Sequence, residues 1–214
     1  MKKIQLQEFS KLIQQEIDVL DTRDTEEFKS GFIPSSVNVP LKGLKEWAAV
    51  VLKKEAPLLI VVEEGEETGV LAILQDAGFN HIEGSLDGGF AAWQQAGHSI
   101  DMIIDVEPDE LMMDIPFDDN LIVVDVRNPI EFAEGHLKNA LNIPLNDISD
   151  PVTIAQFGET DNIYLHCAGG TRSVIAASLF KKHGIHNLHN IAGGWKKMKE
   201  EPKADIVKEP DILN

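Results

Sequence analysis

The sequence predicts an α/β protein made of two copies of one domain, each with a central, mostly parallel sheet and helices on both faces. Two observations point there: an internal repeat held in register, and strands alternating with helices in the same order in both copies. The repeat comes first, because self-similarity over this length fixes the domain count before any local motif is read. Residues 19–41 read VLDTRDTEEFKSGFIPSSVNVPL, and residues 123–145 read VVDVRNPIEFAEGHLKNALNIPL. Asp21, Arg23, Glu27, Phe28, Gly31, Asn38, Pro40 and Leu41 recur as Asp125, Arg127, Glu131, Phe132, Gly135, Asn142, Pro144 and Leu145, at a constant offset (125 − 21 = 104). Further on, LDGGFAAW at 86–93 is echoed by IAGGWKKM at 191–198, with the glycine pair shifted by one more (193 − 88 = 105). The expected domains are residues 1–100 and 101–214, the second ending in a polar tail, with the boundary in the acidic stretch SIDMIIDVEPDE.

Each copy then runs through the same elements. A short apolar strand (Val19–Leu20; Leu121–Val124) ends in Asp-x-Arg, and a short helical segment follows to a glycine. A brief strand closes at Val39-Pro40 or Ile143-Pro144, and a buried strand comes next, LLIVV at 58–62 or NIYLH at 162–166. Behind it lies an apolar helix, GVLAILQDAG or SVIAASLFKKHG, each stopped by glycine as helix C-termini often are. A last strand (His81–Ile82; Asn187–Leu188) leads into the double glycine and a final helix. Strands alternating with helices indicate a parallel sheet covered on both faces.

Composition excludes several classes of function. The 214 residues are 43% hydrophobic and 26% charged, the profile of an ordinary globular protein. The apolar run Leu58–Val62 is too short to span a bilayer. Gln5, Gln7, Glu8 and Lys11 interrupt the region behind Lys2 and Lys3, so no signal peptide is expected and a cytoplasmic location is the default. A net charge of −17 argues against nucleic-acid binding and against anionic membranes. It also means that an anionic substrate must be held by local donors, because the overall field repels it. The single cysteine, Cys167, cannot form an intramolecular disulfide.

With the Asp-x-Arg, the Glu-x-x-x-Gly region, the strand–cysteine loop–helix and the Gly-Gly-aromatic present in one order, each copy resembles a rhodanese domain. The chain is similar to tandem rhodanese-family sulfurtransferases up to about Glu200. The resemblance implies an active loop at the carboxyl edge of the sheet.

That loop is CAGGTR, comprising Cys167, Ala168, Gly169, Gly170, Thr171 and Arg172. It leaves a buried strand and enters a helix, so its backbone N–H groups can converge above Cys167, and Gly169 and Gly170 permit the conformations such a cradle needs. The helix N-terminus and Arg172 add positive charge, which favours thiolate over thiol and would also hold an anion. Cysteine-dependent phosphatases and arsenate reductases place five residues between cysteine and arginine; here four intervene, and no resolving cysteine exists. In the rhodanese family the shorter loop implies sulfane-sulfur chemistry. Cys167 would take the outer sulfur of thiosulfate or a low-molecular-weight persulfide and pass it to cyanide or a thiol, with no metal or organic cofactor. A non-catalytic sulfur carrier or persulfide sensor serving a partner protein is the alternative. The family further implies an association with metallo-β-lactamase-type persulfide dioxygenases, although this chain carries no ligand motif for such a domain.

Around the loop, Arg127 is expected either to steer the donor anion or to form a structural ion pair, since Arg23 repeats it. His136 is expected in a structural hydrogen bond with the site as second choice. His166 should point away from the loop, and Trp195 should pack in the core or at the pocket rim. His183, His186 and His189 cross a helix end and a glycine, so a shared metal is not expected.

In the first copy, the offset of 104 puts Glu63 at the place of Cys167 and Thr68 at that of Arg172, in the loop EEGEET. Glu63, Glu64, Glu66 and Glu67 would repel one another and any anion. This copy should not transfer sulfur. Scaffolding is its expected role, with a docking surface for a basic partner or a cation site as rivals.

Overall fold

The computed structural model describes residues 1–209. The chain divides into two compact units, Met1–Met102 and the part beginning at Ile103. In the first unit, strands β1 (Lys3–Ile4), β2 (Asp18–Asp21), β3 (Val37–Asn38), β4 (Leu58–Val61) and β5 (Ile82–Leu86) form one sheet in the order β1-β5-β4-β2-β3. All its pairings are parallel. Helices α1 (Leu6–Ile13), α2 (Thr25–Ser30), α3 (Leu44–Val51), α4 (Glu67–Asp76) and α5 (Gly89–Gln95) flank it.

The second unit repeats this plan with β6 (Ile104–Val106), β7 (Leu121–Asp125), β9 (Leu141–Asn142), β10 (Asn162–His166) and β11 (Leu188–Ile191), ordered β6-β11-β10-β7-β9 and again wholly parallel. Its helices are α6 (Pro108–Asp114), α7 (Pro129–Glu134), α8 (Leu145–Ile148), α9 (Pro151–Ile154), α10 (Thr171–Lys182) and α11 (Gly194–Met198). A small antiparallel ribbon joins β8 (His136–Leu137) to β12 (Ile206–Val207). Each sheet is therefore more uniform than the mostly parallel arrangement expected.

Burial explains the run of apolar residues in the central strands. Leu59, Ile60 and Val61 of β4, and Ile163 and Leu165 of β10, are inaccessible to solvent, because a central parallel strand is covered on both faces. Each such side chain contributes about 1.5–3 kcal/mol by leaving water. Helix α10 is buried from Ser173 to Lys181 and packs on β10, β11 and α8. The loop at its start is thus anchored from behind.

Three features depart from the sequence reading. The edge strands β1 and β6, of two and three residues, are too short to carry an alternating pattern. The acidic stretch expected as a junction is largely structured: Ile104–Val106 pairs with β11, and Glu107 and Glu110 form a capping box that starts α6. The expected polar tail begins as β12, where the Lys138 amide donates to the Asp205 carbonyl at 2.8 Å and the Glu209 amide to the Ala133 carbonyl at 2.9 Å. Residues 210–214 of that tail lie outside the described residues. Among the described residues, no helix is long and apolar enough to cross a membrane.

Candidate active site

The repeated residues build the same scaffold twice. At the end of β7, Asp125 takes the Arg127 guanidinium on both carboxylate oxygens, with Nε at 2.9 Å from each and Nη2 at 2.5 Å from Oδ2. Arg127 Nη2 also donates to the Gly135 carbonyl at 2.8 Å, and the guanidinium lies 4.5 Å from the Trp195 ring centre. Asn142 Nδ2 ties the turn together by donating to the carbonyls of Asp125 and Arg127. In the first unit Asp21, Arg23, Gly31, Asn38 and Phe90 make the same contacts. Arg127 is 3% exposed and engaged from several sides. Of the two roles expected for it, this geometry is the structural ion pair.

Cys167 follows β10 directly and is 2% exposed. An inert core cysteine would be ringed by apolar groups; here the thiol meets a backbone donor and a hydroxyl. The Gly170 amide donates to Sγ at 3.1 Å, and the Ser173 hydroxyl stands 3.7 Å away. Gly170 reaches this position with φ of +117°, in a backbone region that residues with a Cβ rarely adopt. Thr171 then opens the twelve-residue α10, so the sulfur sits against the positive end of a helix. The double-glycine turn presses on the loop from the other side. The Trp195 amide donates to the Cys167 carbonyl at 2.7 Å, and the Lys196 amide to the Ala168 carbonyl at 3.2 Å.

Arg172, expected to add positive charge at the loop, is paired with a carboxylate. Its Nη1 and Nη2 donate to the two carboxylate oxygens of Glu131 at 2.7 and 2.8 Å. The arginine holds the Glu131 carboxyl below the usual carboxylate range. Because α7 follows β7 and α10 follows β10, this pair spans the crevice where the strand order reverses, the usual ligand position in such sheets. The loop's formal cation is therefore largely neutralised.

Sequence reasoning missed a second group of site residues. Ser173 Oγ lies 2.7 Å from Asn190 Oδ1 and 2.9 Å from the Gly170 carbonyl, and Asn190 Nδ2 donates to Asp105 at 2.7 Å. The amide thus faces its oxygen to the serine, which fixes the hydroxyl beneath the sulfur. A signal existed: serine and asparagine placed in otherwise apolar buried elements require partners. Lys196 was also passed over, although its Nζ comes within 3.9 Å of where a Cβ on Gly169 would lie.

The remaining candidates fall elsewhere. His136 Nδ1 lies 2.8 Å from the Phe132 carbonyl, its ring stacked on Phe132 and its Nε2 3.6 Å from Glu209. His166 is fully buried with Nε2 3.6 Å from Asp125, and burial lowers its pKa. Trp195 packs at the edge of the unit's core, against Arg127. His189 lies on β11 beside Tyr164. Among the described residues no three His, Cys, Asp or Glu side chains are grouped to share a metal ion.

The first unit keeps a cavity of about 630 Å³ lined by Arg23, Glu27, Glu63, Glu67 and Phe90 among others. Partial desolvation and the nearby Glu27 carboxylate raise the Glu63 pKa. Glu27 matches Glu131, but Thr68 stands where Arg172 would pair with it, and Gly69 stands where Ser173 would be. The scaffold is duplicated; the polar groups around the sulfur are not.

The chain has recognisable relatives. The rhodanese-like domain family matches it twice, over residues 5–96 and 107–201, and the chain belongs to that family. It is similar to a sulfurtransferase of Allochromatium vinosum, 25% identical over 44% of this chain and 85% of that protein. It is 37% identical over 83 residues to the uncharacterized protein YqhL of Bacillus subtilis, covering 38% of this chain and 64% of the relative. A tRNA uridine(34) hydroxylase of Pectobacterium carotovorum is 31% identical over 41% of this chain, which spans only 26% of that protein's length.

Proposed function

We propose that the second unit is a sulfurtransferase working through a persulfide on Cys167, and that the first unit is a non-catalytic copy. The observation that carries this reading is the Gly170 amide donating to Cys167 Sγ at 3.1 Å at the head of α10. A sulfur anion on Cys167 would be held by the same amide and helix end. In the first step the Cys167 thiolate attacks the outer sulfur of thiosulfate or of a low-molecular-weight persulfide, releasing sulfite or a thiolate. In the second, an external thiol takes that sulfur and frees the thiolate; the acceptor must be external because Cys167 is the only cysteine. Ala168, Gly169, Gly170 and Thr171 supply the loop backbone. Arg172 holds that loop against Glu131, and Arg127 holds the floor beneath Trp195.

Intact mass after incubation with thiosulfate, and separately with glutathione persulfide, tests the reading. One sulfur (about 32 Da) should be gained, be removed by cyanide, and be absent in Cys167→Ser. No gain from either donor, with Cys167 still alkylatable, would overturn it.

A further inference from the structure

We infer that the Lys196 ammonium is the donor-binding cation of the Cys167 loop, recognising the sulfonate end of an inorganic thiosulfate donor and the sulfite that departs from it. The inference rests on the sulfur-transfer reading and assigns the charge that reading requires. With a net charge of −17, the protein repels a dianion at long range, so a local cation must compensate. The cations closest to the loop are otherwise engaged. Arg172 is bound bidentate to Glu131, Arg127 is buried on Asp125, and Lys197 pairs with Glu107. Lys196 has no ion pair among the described residues, and its side chain is exposed.

Its position is fixed from the backbone. The Lys196 amide donates to the Ala168 carbonyl at 3.2 Å, and Gly194 packs so closely that an added Cβ would lie 2.4 Å from the Cys167 carbonyl oxygen. The side chain then carries Nζ to within 3.9 Å of the Cβ position of Gly169, at the middle of the loop. The first unit has Ala91 at the matching place (196 − 105 = 91), so cation and cysteine occur in the same copy and are absent together from the other.

The step balances without any further reactant. The Cys167 thiolate forms a bond to the outer sulfur of thiosulfate, the bond between its two sulfurs breaks, and that electron pair leaves with sulfite. Cys167 ends as a persulfide anion, and the total charge is unchanged. Lys196 meets the dianion on entry and the dianion on departure, whereas a persulfide lacking a sulfonate gives it little to hold.

Timed sulfur loading, read by intact mass, separates these cases. The donors are thiosulfate and the persulfide of 2-mercaptoethanol, and the proteins are wild type, Lys196→Ala, Lys196→Arg and Lys197→Ala. Lys196→Ala should load about tenfold more slowly from thiosulfate and be within about threefold of wild type with the persulfide. Lys196→Arg should restore thiosulfate loading, and Lys197→Ala should match wild type. Equal slowing with both donors, unchanged loading of Lys196→Ala from thiosulfate, or a wild type that loads only from the persulfide would each overturn the inference and leave sulfur transfer standing. A wild type that loads from neither donor removes the sulfur-transfer reading itself.

Discussion

Gly194 ties the cysteine loop to the rest of the second unit. Its φ is +57°, and a Cβ there would fall 2.4 Å from the Cys167 carbonyl oxygen. Gly194→Ala should cost about 2 kcal/mol or more, through strain and overlap, and should abolish sulfur loading because the loop must shift. Gly184→Ala is the control, since Gly184 is also left-handed (φ +86°) but has no neighbour within 4 Å. It should cost about 1 kcal/mol and leave loading intact; denaturant melts paired with loading rates check both. The Glu131–Arg172 pair has its own signature. The folded-state pKa of Glu131 is depressed, so its stabilising contribution is present above the ordinary value of 4.5 and is lost as pH falls through the folded value. Glu131→Gln should therefore flatten the acid limb of the stability–pH curve, and an unchanged limb would show that the pair contributes nothing. At this scale the sequence disclosed where Cys167 and its glycines lie, because an apolar run before them and a helical pattern after them mark the end of a buried strand and the start of a helix. It could not disclose that Arg172 is neutralised, since its partner lies 41 positions away on another helix.

The same kind of element can begin in two ways, and the two cysteine-position loops show it. In the second unit Gly170 takes φ of +117° and delivers its amide to the sulfur. In the first, Gly65 is the left-handed residue (φ +91°), and Glu66 at the place of Gly170 has φ of −91° and donates to the Glu63 carbonyl. Restoring the chemistry by Glu63→Cys with Thr68→Arg, in a Cys167→Ser background, should yield no sulfur gain, because the backbone aims its amides elsewhere. Adding Glu66→Gly should be required before any gain is seen. A gain of one sulfur (about 32 Da) in the simpler variant would show that the side chains alone decide activity. Helices and central strands were legible here because burial writes long apolar runs into them. The edge strands β1 and β6 were not, and the capping residues of α6 were read as a linker because Glu-Pro-Asp-Glu is compatible with both.

Over the whole molecule, duplication was the most legible feature, since Asp-x-Arg, Asn and the double glycine maintain an identical scaffold in each unit. What distinguishes the units lies in buried polar groups, and these give them different responses to pH. His166 is fully buried beside Cys167, and His189 is half-buried on the neighbouring strand; burial pushes both below the ordinary value of 6.5. The place of His166 in the first unit is Val62. A histidine with a depressed folded-state pKa takes up protons more readily when unfolded. Its contribution to stability is complete above the unfolded value and is lost as pH falls through the folded one. As pH falls from above the ordinary imidazole value of 6.5 the second unit should therefore lose stability, whereas the first, whose buried Asp21 has a raised pKa, should hold or gain it. Trp195 reports the second unit once Trp47 and Trp93 are replaced by phenylalanine, and the reciprocal Trp195→Phe variant reports the first. Denaturation midpoints in the two proteins should diverge as pH falls, and His166→Gln should reduce the divergence. Parallel midpoints at every pH would mean that the buried imidazoles accept protons in the fold as readily as in the unfolded chain, and that burial at the floor of the cysteine loop does not set their charge.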